Sequence, residues 1–234
     1  MVDSIWTRSR ASAPARDTLS REQIVKAAIE LLDQEGLAGL SMRKLATKLA
    51  SGATSLYWYV QTKDDLIDLV IDEIYGEVDV PEAELAGWRA GTLLFAHSLR
   101  ATVLRHPWLP EVIYTRPSIG PKAVSLGSRG LALFGAAGFT SRDLDYAMGS
   151  VMAYVLGQAS AEVAMHSAVK KSGRTVEEWT GDVMEQAKAT VDDHPEMQES
   201  LRRRSALDAA QLQNEYFAFG LDSLLDGIEA RLRT

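Results

Sequence analysis

Seven side chains between residues 43 and 63 have types and spacing that suit contact with a nucleic-acid duplex. They are Arg43, Thr54, Ser55, Tyr57, Trp58, Tyr59 and Lys63. Hydroxyls donate to phosphate oxygens and base edges, cations neutralise phosphates, and aromatic rings stack or reach into a groove. Three adjacent aromatics on one short helix cannot all point inward, so at least one ring must face out, and Trp58 and Tyr59 are the better outward candidates. Thr54 and Ser55 fall at the start of that helix, where the helix dipole also favours phosphate. This is recognition chemistry, with no bond made or broken.

Bond-making chemistry has no comparable set. The four histidines, His97, His106, His166 and His194, are scattered without metal-ligand spacing. There is no Cys, so Cys-based metal sites and disulfides are excluded. No nucleophile elbow, phosphate-cradling glycine loop or paired-carboxylate signature stands out. Catalysis, a bound metal and a cofactor are therefore not expected.

The elements that must position the seven residues read as a helix, a turn and a helix. Ser20 and Gln23 form a capping box opening a helix to about Gln34, with an apolar stripe of Ile24, Ala27, Ala28, Leu31 and Leu32. Gly36 stops it. Ser41 caps a second helix whose inner face is Met42, Leu45, Ala46 and Leu49. Ser51-Gly52 makes the turn, and a third helix covers roughly 53–59. Thr62 and Asp65 box the start of a fourth, running from Lys63 to about Tyr75.

Beyond Pro81 the spacing predicts helices over about 84–105, 123–137, 141–169, 176–190 and 206–231. The proline-rich stretch 107–121 between the first two reads as short helix and turns. No strand pattern is present, so the expected class is all-α. The expected domains are a basic arm over 1–18 with Arg8, Arg10 and Arg16, a helix-turn-helix domain over 19–75, and a larger helical body over 76–234. Charge divides along similar lines. Residues 1–65 carry 9 Lys/Arg against 8 Asp/Glu, and the remainder carries 16 against 24. An acidic body bearing a less acidic contact module fits nucleic-acid binding. No apolar run nears the length of a membrane span, and no secretory leader is recognisable, so a cytoplasmic protein with no membrane partner is expected.

In the body, Gly149, Ala153, Gly157 and Ala161 form a ridge of small residues spaced by four. Phe217, Leu221, Leu224 and Ile228 form an apolar stripe on the last helix. Together they fit a four-helix bundle with a second copy, or packing inside one subunit. Trp88, Phe95, Leu99, Trp108, Ile113, Tyr114, Phe134 and Tyr154 are candidate walls of a ligand pocket, or plain core.

The pattern L-S-x-R-K-L-A-x-K-L followed by S-L-Y-W-Y-V-x-x-K-D-x-L resembles the TetR family of repressors over about 19–74. The stretches R-H-P-W-L, T-R-P and F-x-F-G-L-D-x-L-L-D-G resemble the C-terminal domain of its tetracycline-repressor-like members. The resemblance implies a ligand-responsive homodimer on a pseudo-palindromic DNA operator, with the seven residues at the family's DNA-contacting positions. It places Arg116-Pro117 near the pocket. Two departures stand in the turn, where the family's usual glycine is Ala50 and its apolar residue is Ser51, with Gly52 expected to absorb the sharp conformation. Trp58-Tyr59 replaces a common aromatic-histidine pair. The tetracycline repressor grips a magnesium-chelated drug partly by histidine. No His lies between 60 and 96 here, so a different effector is implied. The rival reading is a helical scaffold whose N-terminal unit binds another protein.

Overall fold

The structure is a computed structural model that describes residues 5–6, 19–191, 193–204 and 208–232. The expected basic arm, with Arg8, Arg10 and Arg16, lies outside the described residues apart from Ile5 and Trp6. The described residues form helices and turns only. The chain divides into two compact units, Met1–Met148 and Gly149–Thr234. The expected boundary near residue 75 marks a change in sequence character. Compactness breaks later, because the fourth helix packs against both the first and the seventh.

The first unit begins with α1 (Arg21–Gly39), α2 (Met42–Lys48), α3 (Ala53–Tyr59) and α4 (Lys63–Tyr75). The caps form as the sequence requires. The Gln23 amide donates to Ser20 Oγ at 3.1 Å, and the Ser20 amide donates to Gln23 Oε1 at 2.8 Å. Ser41 Oγ accepts from the Lys44 amide at 3.2 Å. Thr62 and Asp65 exchange bonds of 3.0 and 3.1 Å at the head of α4. Gly36 leaves the helical region at φ 68°, breaking α1 before its last residues.

The turn differs from expectation. Ala50 takes the left-handed conformation at φ 48°, while Gly52 is extended at φ −74° and ψ 143°. The Ser51 amide reaches Ala46 O at 3.0 Å and the Ala50 amide reaches Thr47 O at 3.1 Å. This pair of bonds is the Schellman closure of α2, and it demands a left-handed residue at the position Ala50 occupies.

The rest of the first unit holds α5 (Ala83–Ala86), α6 (Trp88–Arg105), a 3-10 turn (Leu109–Glu111), α7 (Pro121–Ala136) and the first turns of α8 (Ser141–Ser172). The single helix expected over 84–105 is broken at Gly87, where φ is 71°. Pro121 opens α7 rather than ending the loop before it, since a first-turn residue needs no amide hydrogen.

The second unit contains the remainder of α8, α9 (Val176–Thr190), α10 (Pro195–Arg204) and α11 (Ala209–Arg231). In the sequence His194-Pro195 reads as a break only; in the structure Pro195 starts α10, a helix the spacing does not predict. In α11 the stripe residues Phe217, Leu221 and Ile228 are buried and Leu224 is half-buried.

Candidate nucleic-acid interface and effector body

In α3 the side chains follow from a rotation of about 100° per residue. Leu56 points fully into the core. Tyr57 and Trp58, the next two, are 48% and 59% exposed. Tyr59 has turned most of the way back and is half-buried, its carbonyl accepting from Arg21 Nη2 at 3.5 Å. The outward rings are therefore Tyr57 and Trp58, where sequence reasoning favoured Trp58 and Tyr59. Thr54 is exposed and Ser55 half-buried.

The flanking cations differ in their engagement. Arg43 and Lys63 are exposed, and Lys63 Nζ donates to Leu37 O at 3.3 Å. Lys44 pairs with Glu35, and Lys48 pairs with Glu30 at 3.0 Å. The structure thus collects exposed hydroxyl, aromatic and basic groups on a rigid three-helix unit whose opposite side is core.

α4 follows α3 after three residues and is buried along most of its length. One edge carries Asp64, Asp68 and Asp72, spaced by four, and each bonds the segment 116–123. Arg116 Nη2 meets Asp64 Oδ1 at 2.7 Å, and Arg116 Nη1 meets Asp68 Oδ1 at 3.0 Å. Burial raises the Asp68 carboxyl above the ordinary aspartate value, and the hydrogen bond and charge of Arg116 oppose that rise. Asp72 Oδ1 accepts from the Lys122 and Ala123 amides at 3.0 and 2.9 Å, capping α7 from a distance. Tyr75 Oη lies 2.9 Å from Ser118 Oγ, and burial raises the phenol above its ordinary value. Arg116 is therefore engaged with α4 rather than with an open pocket.

A second tie runs from α1. Asp33 Oδ1 accepts from Trp108 Nε1 at 2.7 Å and lies 2.8 Å from His106 Nδ1. His106 Nε2 sits 3.1 Å from Glu77, which also pairs with Arg105 at 2.7 Å. His106 is buried in this structural cluster.

The pocket expected from the aromatics is packed core in this structure. Phe95, Leu99, Trp108, Ile113 and Phe134 are all no more than 4% exposed. The half-buried Trp88 ring lies tilted at 6.3 Å from Phe134 and edge-on at 6.4 Å from Phe139, filling the space with rings. Tyr114 lies outside at 72% exposure. The cavity beside Arg116 and Tyr75 is about 10 Å³, room for one water. Tyr154 lies in the other unit. Its hydroxyl donates to Tyr216 O and Phe217 O at 3.1 and 2.9 Å, and its ring covers Gly220.

Sequence reasoning missed a cavity of about 480 Å³ between α8, α9 and α11 in the second unit. Its signal was present in α9, whose Trp179, Val183 and Met184 line that cavity.

A capped helix, a tight left-handed turn and a second helix presenting polar and aromatic side chains define a helix-turn-helix DNA-binding protein. The model for bacterial regulatory proteins of the tetR family matches residues 24–70, and that for the tetracyclin repressor-like C-terminal domain matches 80–232. The chain belongs to the TetR family of transcriptional regulators. It is 42% identical over 159 residues, covering 68% of this chain and 67% of the relative, to an HTH-type transcriptional regulator of Saccharopolyspora erythraea. It is 34% identical over 232 residues, 97% of this chain and 84% of the relative, to the HTH-type transcriptional repressor DrrR1 of Streptomyces coeruleorubidus. Among solved structures, the TetR family protein ActR of Streptomyces coelicolor in complex with actinorhodin superposes with a TM-score of 0.78 at 28% identity, covering 91% of this chain and 96% of that one. These relatives are transcriptional regulators. Among the described residues, no helix is long and apolar enough to cross a membrane.

Proposed function

We propose that this chain is a cytoplasmic, non-catalytic repressor that binds a pseudo-palindromic operator as a homodimer and leaves it when a small, mostly apolar molecule binds the C-terminal body. The observation that carries the reading is the outward pair Tyr57 and Trp58, held beside Thr54, Arg43 and Lys63 on the helix-turn-helix. Each protomer presents α3 to one major groove, and two copies meet successive half-sites. The effector acts only through a difference in affinity between the two states.

The surface left for the second copy supports the dimer. Gly149, Ala153, Gly157 and Ala161 are exposed along α8, and a Cβ added at Gly149 or Gly157 would meet open space. On α11 Phe217, Leu221 and Ile228 are already buried in the single chain, so the face offered to a partner is the opposite one, with Phe219 at 77% exposure.

The test is operator titration by fluorescence anisotropy, using the DNA flanking the protein's own gene. Trp58→Ala and Lys63→Ala each weaken binding by roughly tenfold or more, with helicity and dimerisation unchanged. Binding to that DNA falls as salt rises. Wild-type affinity in both variants at moderate salt would remove α3 from the interface. No gel shift at low salt, with a tight protein partner in pulldown, would favour the scaffold reading instead.

A further inference from the structure

Trp6 lies well ahead of α1 in the chain, yet its side chain is half-buried against the first unit. Residues ahead of a domain's first helix keep a fixed place only where something ties them down. Around Trp6 stand Ile71, Asp72 and Tyr75 of α4 together with Pro117 and Gly120 of the loop before α7. The space left between them is about 10 Å³, so the ring nearly fills the niche.

Gly120 fits the niche to that ring. Its φ of −70° and ψ of 162° suit any residue, so the backbone does not demand glycine there. A Cβ at that position would come within 2.7 Å of Trp6 Cζ2, besides colliding with the Asp72 carboxylate. The same place carries the bonds that fasten α4 to the segment 116–123. Asp72 accepts from the Lys122 and Ala123 amides, and Tyr75 Oη lies 2.9 Å from Ser118 Oγ. An indole laid along this seam keeps water from it, and hydrogen bonds in a drier place are stronger.

We propose that Trp6 is an intramolecular latch: its indole docks in the niche between α4 and residues 116–120 and holds that seam in the arrangement that lets α3 engage the operator. The docking stands on its own, while its consequence for DNA rests on the reading of the chain as an operator-binding regulator. With the latch undocked, α4 takes up other tilts. The fraction of molecules with α3 in register then falls, and apparent affinity falls with it.

The experiment is fluorine NMR of the full-length protein labelled with 5-fluorotryptophan, followed by operator titration. The label puts fluorine on Cζ3, away from the Cζ2 edge that faces Gly120. The Trp6 resonance is the one lost in Trp6→Phe. It should lie apart from that of free 5-fluorotryptophan and respond less to exchange of water for D2O than the resonance of exposed Trp58. Gly120→Ala should move it to the free position; if that variant fails to fold, the wild-type resonance still decides. A wild-type resonance at the free position with the full solvent response overturns the docking. In the titration, Trp6→Ala weakens operator binding at least roughly threefold at moderate salt, with helicity and dimerisation unchanged, while Trp6→Phe stays within about twofold of wild type. Wild-type affinity in Trp6→Ala, or tighter binding, overturns the latch. Failure of the wild-type protein to bind operator DNA would instead strike the proposed function, and the fluorine spectra would still decide the docking.

Discussion

Asp72 offers the sharpest test of how the helix-turn-helix is fastened to α7. The residue is 6% exposed, and its carboxylate caps α7, whose own N-cap position is Gly120 and supplies no side chain. Asp72→Ala deletes two bonds of 3.0 and 2.9 Å to the Lys122 and Ala123 amides. A hydrogen bond to a charged group contributes about 1.5–3 kcal/mol, and a lost N-cap costs about 1. Both amides belong to half-buried residues, so water recovers part of the loss. The expected destabilisation is about 2–3 kcal/mol. In a chain of this size each kcal/mol lowers the melting temperature by about 2–4 °C, so the drop should be roughly 4–12 °C. Asp72→Asn keeps one acceptor oxygen and should lose about half as much.

Gly120 supplies the control. A Cβ there would collide with the Asp72 carboxylate and approach Trp6 Cζ2 at 2.7 Å. Gly120→Ala is therefore damaging while Asp72 is present and less so once Asp72 is alanine. Thermal melts of the two singles and the double at equal protein concentration form a double-mutant cycle. The double should be more stable than the sum of the singles by about 1 kcal/mol or more. Strict additivity, or a melting temperature of Asp72→Ala within about 1 °C of wild type, would refute the remote cap.

Three further outcomes are expected. Ala50→Gly removes a left-handed alanine, worth about 1–2 kcal/mol, against about 0.4–1 lost to unfolded-chain entropy, so urea unfolding should show a net gain of about 0.5–1 kcal/mol. Arg116→Ala takes from Asp68 the partner that opposes its burial, so the carboxyl moves further above its ordinary value. A carboxyl raised in the folded state costs stability once pH passes above that range, so the variant's deficit should be small near pH 4 and grow towards pH 7; a deficit independent of pH would refute the pairing. Thr180→Val replaces a buried hydroxyl that has no hydrogen-bond partner among the described residues by a methyl and should raise stability by about 1 kcal/mol in the same urea assay, with a loss of stability counting against the burial.

What could be read in the sequence was local. The capping boxes at Ser20 and Thr62, the Ser41 cap and the bounds of α4 and α9 all come from patterns within a few residues. Breaks in the chain were harder. Gly87, Pro121 and Pro195 each punctuate the sequence, and only the backbone around them decides between ending one helix and beginning another. The sharp turn fell at Ala50 rather than at nearby Gly52, because the Schellman bonds fix the place and the residue there must comply. Side chains that act over long sequence separations left no trace. Nothing near Arg116 in sequence points to Asp64 and Asp68, and nothing near Gly120 points to Asp72. The pocket residues failed for a related reason: Phe95 and Phe134 have the same periodicity whether they line a cavity or fill one.

The acidic edge of α4 gives these contacts a mechanical consequence. α4 spans 13 residues without Gly or Pro, so it is a stiff rod about 20 Å long. Its start is locked by the Thr62–Asp65 box, three residues after α3 ends. Its side is held at Asp64, Asp68 and Asp72 by the segment 116–123. With so short a link, α3 has little freedom to ignore the rod. A tilt of about 5° about one end displaces the other by nearly 2 Å, on the geometry of a rod of that length. Such a shift is comparable to a hydrogen-bond reach, enough to carry Thr54 and Trp58 out of register with base edges. In the proposed regulator, a change in segment 116–123 thus reaches DNA without any rearrangement inside the helix-turn-helix, and weakening the edge at Arg116 should loosen the response to effector while leaving the DNA-facing side chains intact.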